Sequence, residues 1–349
     1  MSDPVATPLV SVIVPCRNER DHIDGCIDSI LANDHPREHL ELIVVDGESD
    51  DGTREILAAR ARAEPALRWL PNPARTTPAA LNIGIRASSG RVIVRMDVHC
   101  RYPAHYIRTL VAWLDRSGAD NVGGACRTLP ANDTPAARAV AVALSHPLGV
   151  GNALFRVGVS EPRWVDTVPF GCYRREVFER IGLFDEELVR NQDDEFNHRL
   201  LGHGGRILIV PDVISDYFAR ASLGKLALMY YQYGYFKPLV ARKLGRVATL
   251  RQLAPPAFVL FLVLALLAAP FGRMAAIPLV GVAALYLGVV FAAALRVVLR
   301  SGPSLLAPLV AAFPVMHLAY GAGFLRGSLD LARRTHAATR PDAAIPVSR

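Results

Sequence analysis

The residues best placed to do chemistry stand at the end of a short apolar run. In Gly90-Arg91-Val92-Ile93-Val94-Arg95-Met96-Asp97-Val98-His99, a β-branched stretch leads to a carboxylate and an imidazole two residues apart. Side chains at i and i+2 of an extended segment point the same way, so Asp97 and His99 are expected to aim at one ion. An oxygen donor beside a nitrogen donor suits Mg²⁺ or Mn²⁺ when substrate phosphates supply the other ligands. Taken alone, the stretch reads better as a strand end with two unrelated polar residues. The rest of the chain reverses that weighting.

The elements that must position this pair fill the first half of the chain. Leu9 to Val14 is a continuous apolar run stopped by Pro15, the pattern of a buried parallel strand. A helix is expected from Glu19 to Leu31, with Ile23, Cys26, Ile27, Ile30 and Leu31 on one face. Leu40 to Val45 reads as a second strand, ending in the acidic, glycine-bearing turn Asp46-Gly47-Glu48-Ser49-Asp50-Asp51-Gly52-Thr53. A helix from Thr53, a short strand from Leu67 to Leu70 and a helix from Pro78 to Ala87 follow. The strand Arg91 to Met96 and a helix from Pro103 to Leu114 come next, and Asn121 to Arg127 suggests a further strand. Alternating strands and helices imply an α/β fold with a mostly parallel, doubly wound sheet. Ligands of such sheets bind outside the carboxyl ends of the strands. Pro15 to Glu19, Asp46 to Asp51 and Asp97 to His99 all fall at those ends. A dinucleotide site would need Gly-x-Gly-x-x-Gly after the first strand. The turn there is Pro15-Cys16-Arg17-Asn18-Glu19, without glycine, so that class is excluded.

These motifs resemble a known family. Val12-Ile13-Val14-Pro15-Cys16-Arg17-Asn18-Glu19, then Val44-Val45-Asp46 with Ser49-Asp50-Asp51-Gly52-Thr53, then Ala80-Leu81-Asn82-Ile83-Gly84-Ile85 look like the family 2 glycosyltransferases of the GT-A fold. The resemblance runs from about Leu9 to about Val213. It implies inverting transfer of a sugar from a nucleotide-diphospho-sugar, usually a uridine one. It assigns nucleotide-sugar contacts to Pro15, Arg17, Glu19, Asp46, Asn82 and Asp97. Asp97 and His99 occupy the family's metal-binding Asp-x-Asp motif, implying Mn²⁺ or Mg²⁺, with His99 in place of the second aspartate. Asp-x-His followed by proline is similar to the bacterial glucosyltransferases of the succinoglycan type. Arg91, Arg95 and Arg101 flank the motif and either neutralise phosphate or are solvated surface residues.

The resemblance continues on the acceptor side. Phe170-Gly171-Cys172-Tyr173 leads into Ile181-Gly182-Leu183-Phe184-Asp185-Glu186, similar to the family's segment beneath the sugar. In Asn191-Gln192-Asp193-Asp194-Glu195-Phe196-Asn197-His198-Arg199-Leu200, Asp193 takes the place of the catalytic aspartate. Phe170, Gly171 and Asp194 are expected to face the acceptor. A single in-line displacement needs a carboxylate to deprotonate the attacking hydroxyl. The plainer reading of Asp193 is a helix cap.

Composition bounds the rest. The 349 residues allow one large domain or two smaller ones. Mean hydropathy is +0.24, and the apolar excess lies after about Gln252. Met1 to Pro8 lacks the pattern of a signal peptide. Five cysteines without metal-type spacing read as packed, reduced thiols, fitting the cytoplasm. The diffuse net charge of +7 suits phosphates or a membrane face, and no nucleic-acid motif is present.

Leu223 to Leu244 combines tyrosines with lysines and arginines, as a helix at the bilayer surface does. Ala254 to Phe271, Ala275 to Leu295 and Leu305 to Leu325 each approach the ~20 residues that span a bilayer. Three spans would put the C-terminus opposite the catalytic domain, yet Arg326, Arg333, Arg334 and Arg340 favour the cytoplasm. A re-entrant last block would reconcile the two. The expected organisation is a cytoplasmic catalytic domain over 1–221, an interfacial helix over 222–251, about three membrane helices over 252–326 and a basic flexible tail over 327–349. This describes a multi-pass protein of the bacterial inner membrane. Its expected partners are a UDP-sugar, a lipid-linked saccharide, the membrane and other glycan-assembly membrane proteins. Processive synthases carry Gln-x-x-Arg-Trp on the interfacial helix, whereas here Gln232 is followed by Tyr235-Phe236. Intact Asp46, Asp97 and Asp193 count against an inactive sugar- or lipid-binding protein. Scarce charge inside the apolar blocks counts against a transporter.

Overall fold

The computed structural model describes residues 9–247 and 249–334. The strands are β1 (Val10–Cys16), β2 (Leu40–Asp46), β3 (Leu67–Pro71), β4 (Val92–Arg95), β5 (Cys100–Arg101), β6 (Asn121–Leu129), β7 (Arg163–Trp164), β8 (Cys172–Arg174) and β9 (Ile207–Phe218). The helices of the first half are α1 (Ile23–Leu31), α2 (Thr53–Ala63), α3 (Thr77–Ala87), α4 (Tyr106–Ser117), α5 (Pro135–Ala143), α6 (Pro147–Val150) and α7 (Leu154–Val157). Those of the second half are α8 (Arg175–Ile181), α9 (Gln192–Gly202), α10 (Leu223–Leu244), α11 (Ala254–Ala268), α12 (Arg273–Ser301) and α13 (Leu306–Ala332). They form two compact units. One comprises the chain up to Arg127 with Gly158–Tyr217, the other Thr128–Val157 with the chain from Phe218 onward.

The first unit is built on one sheet of order β3-β2-β1-β4-β8-β6-β9-β5, with β7 paired to β9. The strands β3, β2, β1 and β4 are parallel, as the alternation of elements predicts. β8 runs antiparallel to both β4 and β6, and β5 and β7 run antiparallel to β9. Alternate residues of β1 and β2 serve opposite faces. Val10, Val12, Val14, Leu42 and Val44 join Ile23, Ile27, Leu57, Tyr106 and Leu110 in the main core. Ile13 and Val45 turn the other way and meet α3 at Gly84. Helices on both faces leave the strand ends as the accessible edge of the sheet.

One difference matters for the site. The helix expected from Glu19 begins at Ile23. Asn18 takes a left-handed φ of 53°, and the Glu19 carbonyl accepts from both His22 N and Ile23 N at 2.9 Å. Glu19 and His22 therefore sit in a tight turn ahead of the helix.

The second unit is helical. Ala139, Val140, Ala143 and Leu144 of the α5 region pack with Leu226, Met229, Leu309 and Phe313. That shared apolar core groups Thr128–Val157 with the C-terminal helices, whereas the sequence reading places this stretch in a domain over 1–221. Helices Leu250–Phe271, Ala276–Ser301 and Pro303–Ala332 are long and apolar enough to cross a membrane. Leu264, Leu266 and Leu285 are 57%, 64% and 71% exposed, which fits lipid-facing surface. The block expected to fold back is one unbroken helix of 27 residues through Pro314, about 40 Å at 1.5 Å per residue. Tyr235 and Phe236 of α10, expected at the bilayer surface, are buried. Tyr235 Oη donates to Asp330 of α13 at 3.1 Å. Gly323 and Gly327 let α13 approach α10 closely: a Cβ on either would collide with the carbonyl oxygen of Tyr231 or Tyr235. The expected basic tail beyond Arg334, including Arg340, and the segment Met1 to Pro8 lie outside the described residues.

Candidate active site

The turns after β1 and β2 are knitted together at the strand ends. Asn18 N donates to Ser49 Oγ at 2.7 Å, and Asn18 Nδ2 to Asp50 Oδ1 at 2.8 Å. Glu19 N donates to Thr53 Oγ1 at 2.8 Å. Arg17 lays its aliphatic stem on Gly47, where a side chain would crowd it at 3.0 Å. Asp51 accepts from Thr53 N and Oγ1 and from Arg20 N. Slight burial pushes its carboxyl up, and these hydrogen bonds outweigh that and hold it below the ordinary range. Asp46 ends β2, only 1% exposed, with its carboxylate accepting from Ser49 N and Oγ. Pro15, Arg17, Glu19 and Asp46 thus share one edge, with Asp46 lining it from within.

Asn82 does not join them. It is 2% exposed, and its amide is spent on Phe184 and Glu186. Nδ2 donates to Phe184 O at 2.9 Å and Glu186 Oε1 at 2.8 Å, while Oδ1 accepts from Phe184 N at 3.0 Å. These bonds make Asn82 a strut between α3 and the loop before α9.

The Asp97–His99 pair also differs from the expected geometry. The strand ends at Arg95 and the pair forms a turn, so the i, i+2 rule for extended chain no longer applies. Asp97 Oδ1 accepts from His99 N at 3.0 Å. Tyr102 Oη accepts from Asp97 N at 2.6 Å and donates to Asp97 O at 3.2 Å. The His99 ring faces Glu19, with Nε2 3.0 Å from Glu19 Oε1. His22 stands edge-on to it, ring centroids 5.3 Å apart. One Asp97 oxygen stays clear of the turn's hydrogen bond. Carboxylate oxygen with imidazole nitrogen at this edge is a donor set that fits Mn²⁺.

Asp193 lies in the first turn of α9, whose N-cap is Asn191. Its Oδ2 is ion-paired with Arg95 Nη1, so the helix-cap reading does not describe it. Its Oδ1 and Arg95 Nε are buried polar atoms without a hydrogen-bond partner. Arg95 is 7% exposed, against the solvated reading, whereas Arg91 and Arg101 are exposed. Burial alone would lower the affinity of Arg95 for its proton, but Asp193 and Asp97 together raise it. The guanidinium is paired with Asp193 and lies in the field of Asp97.

The platform under this pair is rigid. Arg199 grips Glu195 through Nε at 2.7 Å and Nη2 at 3.0 Å, and bonds the carbonyls of Ile181 and Leu183. Asn197 Oδ1 accepts from Asn121 at 3.0 Å, and its Nδ2 donates to Thr167 Oγ1 at 2.8 Å. Phe170 and Gly171, expected to face an acceptor, are buried. Phe170 takes a left-handed φ of 49° and presents its ring to Arg95 with 5.8 Å from guanidinium to centroid. Gly171 is required because a Cβ would strike Asn121 and Tyr173. They support the pair from below. Asp194, partly exposed, lies 3.9 Å from His198 Nε2 on its own helix. Sequence reasoning missed His22, whose only signal was proximity to Glu19, and gave Arg95 no partner.

In the second unit, a cavity of about 370 Å³ is lined by Thr128, Arg138, Ser145, His146, Ser301 and Leu305. Burial lowers the His146 imidazole's affinity for a proton, and Arg138 adds a guanidinium to that lining.

Residues 11–182 match the profile described as Glycosyl transferase family 2. The succinoglycan biosynthesis protein ExoA of Rhizobium meliloti (strain 1021) is 33% identical over 335 residues, covering 95% of this chain and 99% of that protein. The dolichyl N-acetyl-alpha-D-glucosaminyl phosphate 3-beta-D-2,3-diacetamido-2,3-dideoxy-beta-D-glucuronosyltransferase of Methanococcus voltae is 26% identical, covering 67% of this chain and 74% of that one. Among solved structures, the mannosyltransferase PcManGT from Pyrobaculum calidifontis, in complex with GDP-Man and Mn²⁺, superposes with TM-score 0.60 at 23% identity. It covers 94% of this chain and 89% of its own, a likeness of fold.

Proposed function

The chain belongs to glycosyltransferase family 2, and on that premise we propose that it adds one hexose, glucose, from UDP-glucose to a polyprenyl-diphosphate-linked saccharide with inversion. The observation that carries this reading is the unpartnered, buried Asp193 Oδ1 beside an Oδ2 clamped by Arg95. A clamped carboxylate with one free oxygen is what a general base for an acceptor hydroxyl needs. The acceptor oxygen bonds to the anomeric carbon as that carbon's bond to the diphosphate oxygen breaks. The hydroxyl proton passes to Asp193 Oδ1, and the negative charge leaves on UDP.

Pro15, Arg17, Glu19 and Asp46 bind the uridine, and Asp97 and His99 would hold a divalent cation, Mn²⁺ or Mg²⁺, against the diphosphate. When bound, that cation stabilises the departing charge. Asp194 borders the acceptor. The likeness to a succinoglycan biosynthesis protein supports an exopolysaccharide product, and the resemblance of Asp97-Val98-His99 to the succinoglycan-type glucosyltransferases supports glucose. The dolichyl-phosphate relative supports a lipid-linked acceptor, as does the presence of apolar helices on the same chain. Burial of Gln232, Tyr235 and Phe236 in helix packing speaks for single addition, since processive synthases keep their Gln-x-x-Arg-Trp at that place. Five buried free thiols fit a catalytic unit in the reducing cytoplasm at the bacterial inner membrane, beside other glycan-assembly proteins.

The test incubates membranes containing the chain with labelled nucleotide sugars and lipid-linked acceptors, followed by lipid extraction. A lipid product one sugar longer, formed from UDP-glucose and absent with Asp193→Asn, is the expected result. Long water-soluble polymer, or undiminished product with Asp193→Asn, overturns the reading.

A further inference from the structure

Three side chains from two turns meet at the sheet edge: Glu19 and His22 in the turn between β1 and α1, and His99 after β4. Glu19 Oε1 and His99 Nε2 are 3.0 Å apart, and the rings of His22 and His99 are in edge contact. One ligand atom from each of the three lies within 4.8 Å of the others. We infer that Glu19, His22 and His99 form a site for one divalent transition-metal ion that assembles without any nucleotide. The inference shares Glu19 and His99 with the transferase reading but needs neither donor nor acceptor.

The donor chemistry selects the ion. Two imidazoles and one carboxylate favour Co²⁺, Ni²⁺, Cu²⁺ and Zn²⁺ over Mg²⁺ and Ca²⁺, which prefer all-oxygen shells. Ligands at about 2.0–2.2 Å from a metal stand roughly 3–4 Å from one another, so the observed cluster needs only side-chain rotation to close. Two of the three ligands stand on fixed backbone. Glu19 N is bonded to Thr53 Oγ1 at 2.8 Å, and His99 N to Asp97 Oδ1 at 3.0 Å. His22 is exposed and supplies the adjustment. A hydrogen-bonded Glu–His pair would account for Glu19 and His99 alone. It leaves unexplained why a second imidazole abuts the first on the solvent side.

The site also bears on catalysis. Occupancy by a soft ion engages Glu19, which the transferase reading assigns to the nucleotide. It also holds the His99 ring toward Glu19 and His22. Zn²⁺ or Co²⁺ here therefore opposes donor binding, whereas Mg²⁺ does not occupy the site.

The test uses the full chain, purified without a histidine tag, and titrates it with Co²⁺ alone while following visible d–d absorption. One equivalent is expected to bind, to resist displacement by Mg²⁺ and to be displaced by Zn²⁺. His22→Ala and Glu19→Gln should each weaken Co²⁺ binding by more than the ~10–100-fold that loss of an outer-shell partner costs. His22→Gln, which keeps size and polarity but has no imidazole, should behave like His22→Ala. Far-UV circular dichroism confirms that each variant is folded. Undiminished Co²⁺ affinity in the His22 variants, or equal displacement by Mg²⁺, overturns the inference. Because no sugar donor is present, such failure is distinct from failure of the transferase reading, which the lipid-product assay decides.

Discussion

Replacing Arg95 with methionine removes the guanidinium that clamps Asp193 while keeping much of the stem's apolar volume. Removing one partner of a fully buried ion pair costs ~3–5 kcal/mol. Here the Asp193 side chain keeps 30% exposure, so water reaches the stranded charge and the cost falls to about 1–3 kcal/mol. A catalytic unit of this size loses ~2–4 °C of melting temperature per kcal/mol. The effect on rate should be larger. A base misplaced by 1 Å can cost ~10²-fold, while loss of the base costs ~10²–10⁴-fold. We therefore expect Arg95→Met to lower turnover by about 10²-fold and Asp193→Asn by at least as much. Because the two act as a unit, the double variant should be no slower than Asp193→Asn alone. Arg95→Lys keeps the charge without the planar fork and should recover part of the loss. The assay measures turnover into lipid product, donor affinity and melting temperature on all five proteins. Normal turnover in Arg95→Met would refute the clamp. So would a double variant slower than Asp193→Asn by the whole Arg95→Met factor.

Three further outcomes follow from the structure. Asn82→Ala should cost about 1–3 kcal/mol by stranding buried groups at Phe184, with donor affinity per folded molecule unchanged; calorimetric titration of UDP-glucose together with thermal melting checks both. Burial raises the Glu41 carboxyl, but hydrogen bonds from Ser11, Ser89 and Arg68 outweigh that and hold it below its ordinary 4.5. A carboxyl depressed on folding contributes stability that is present above 4.5 and lost as pH falls through the folded value, so Glu41→Gln should melt lower at pH 7 and converge with the parent in acid. Gly327→Ala puts a Cβ into the Tyr235 carbonyl and should cost ~1–3 kcal/mol through overpacking of α10 on α13, read as a lower melting temperature in detergent with nucleotide binding retained.

Much of this protein was legible in its residues alone. The apolar run of β1 and the acidic turn after β2 announced a sheet whose strand ends hold the chemistry, because buried strands leave polar residues nowhere else to go. The apolar blocks announced membrane helices by length and composition. Asp193 was picked out by its motif, and the structure adds its partner. Sequence could not supply the direction of side chains in turns. The i, i+2 rule placed Asp97 and His99 together, but β4 stops at Arg95 and the turn sends the imidazole toward Glu19. Nor could spacing show that Asn82 and Phe170 face inward, since packing against other elements decides what encloses a mid-helix amide or a loop ring. Tertiary structure alone brought Arg95 to Asp193 and His22 to His99. These partners lie on different elements, and only packing of α9 and the β1 turn against the sheet sets the distances at which their charges act.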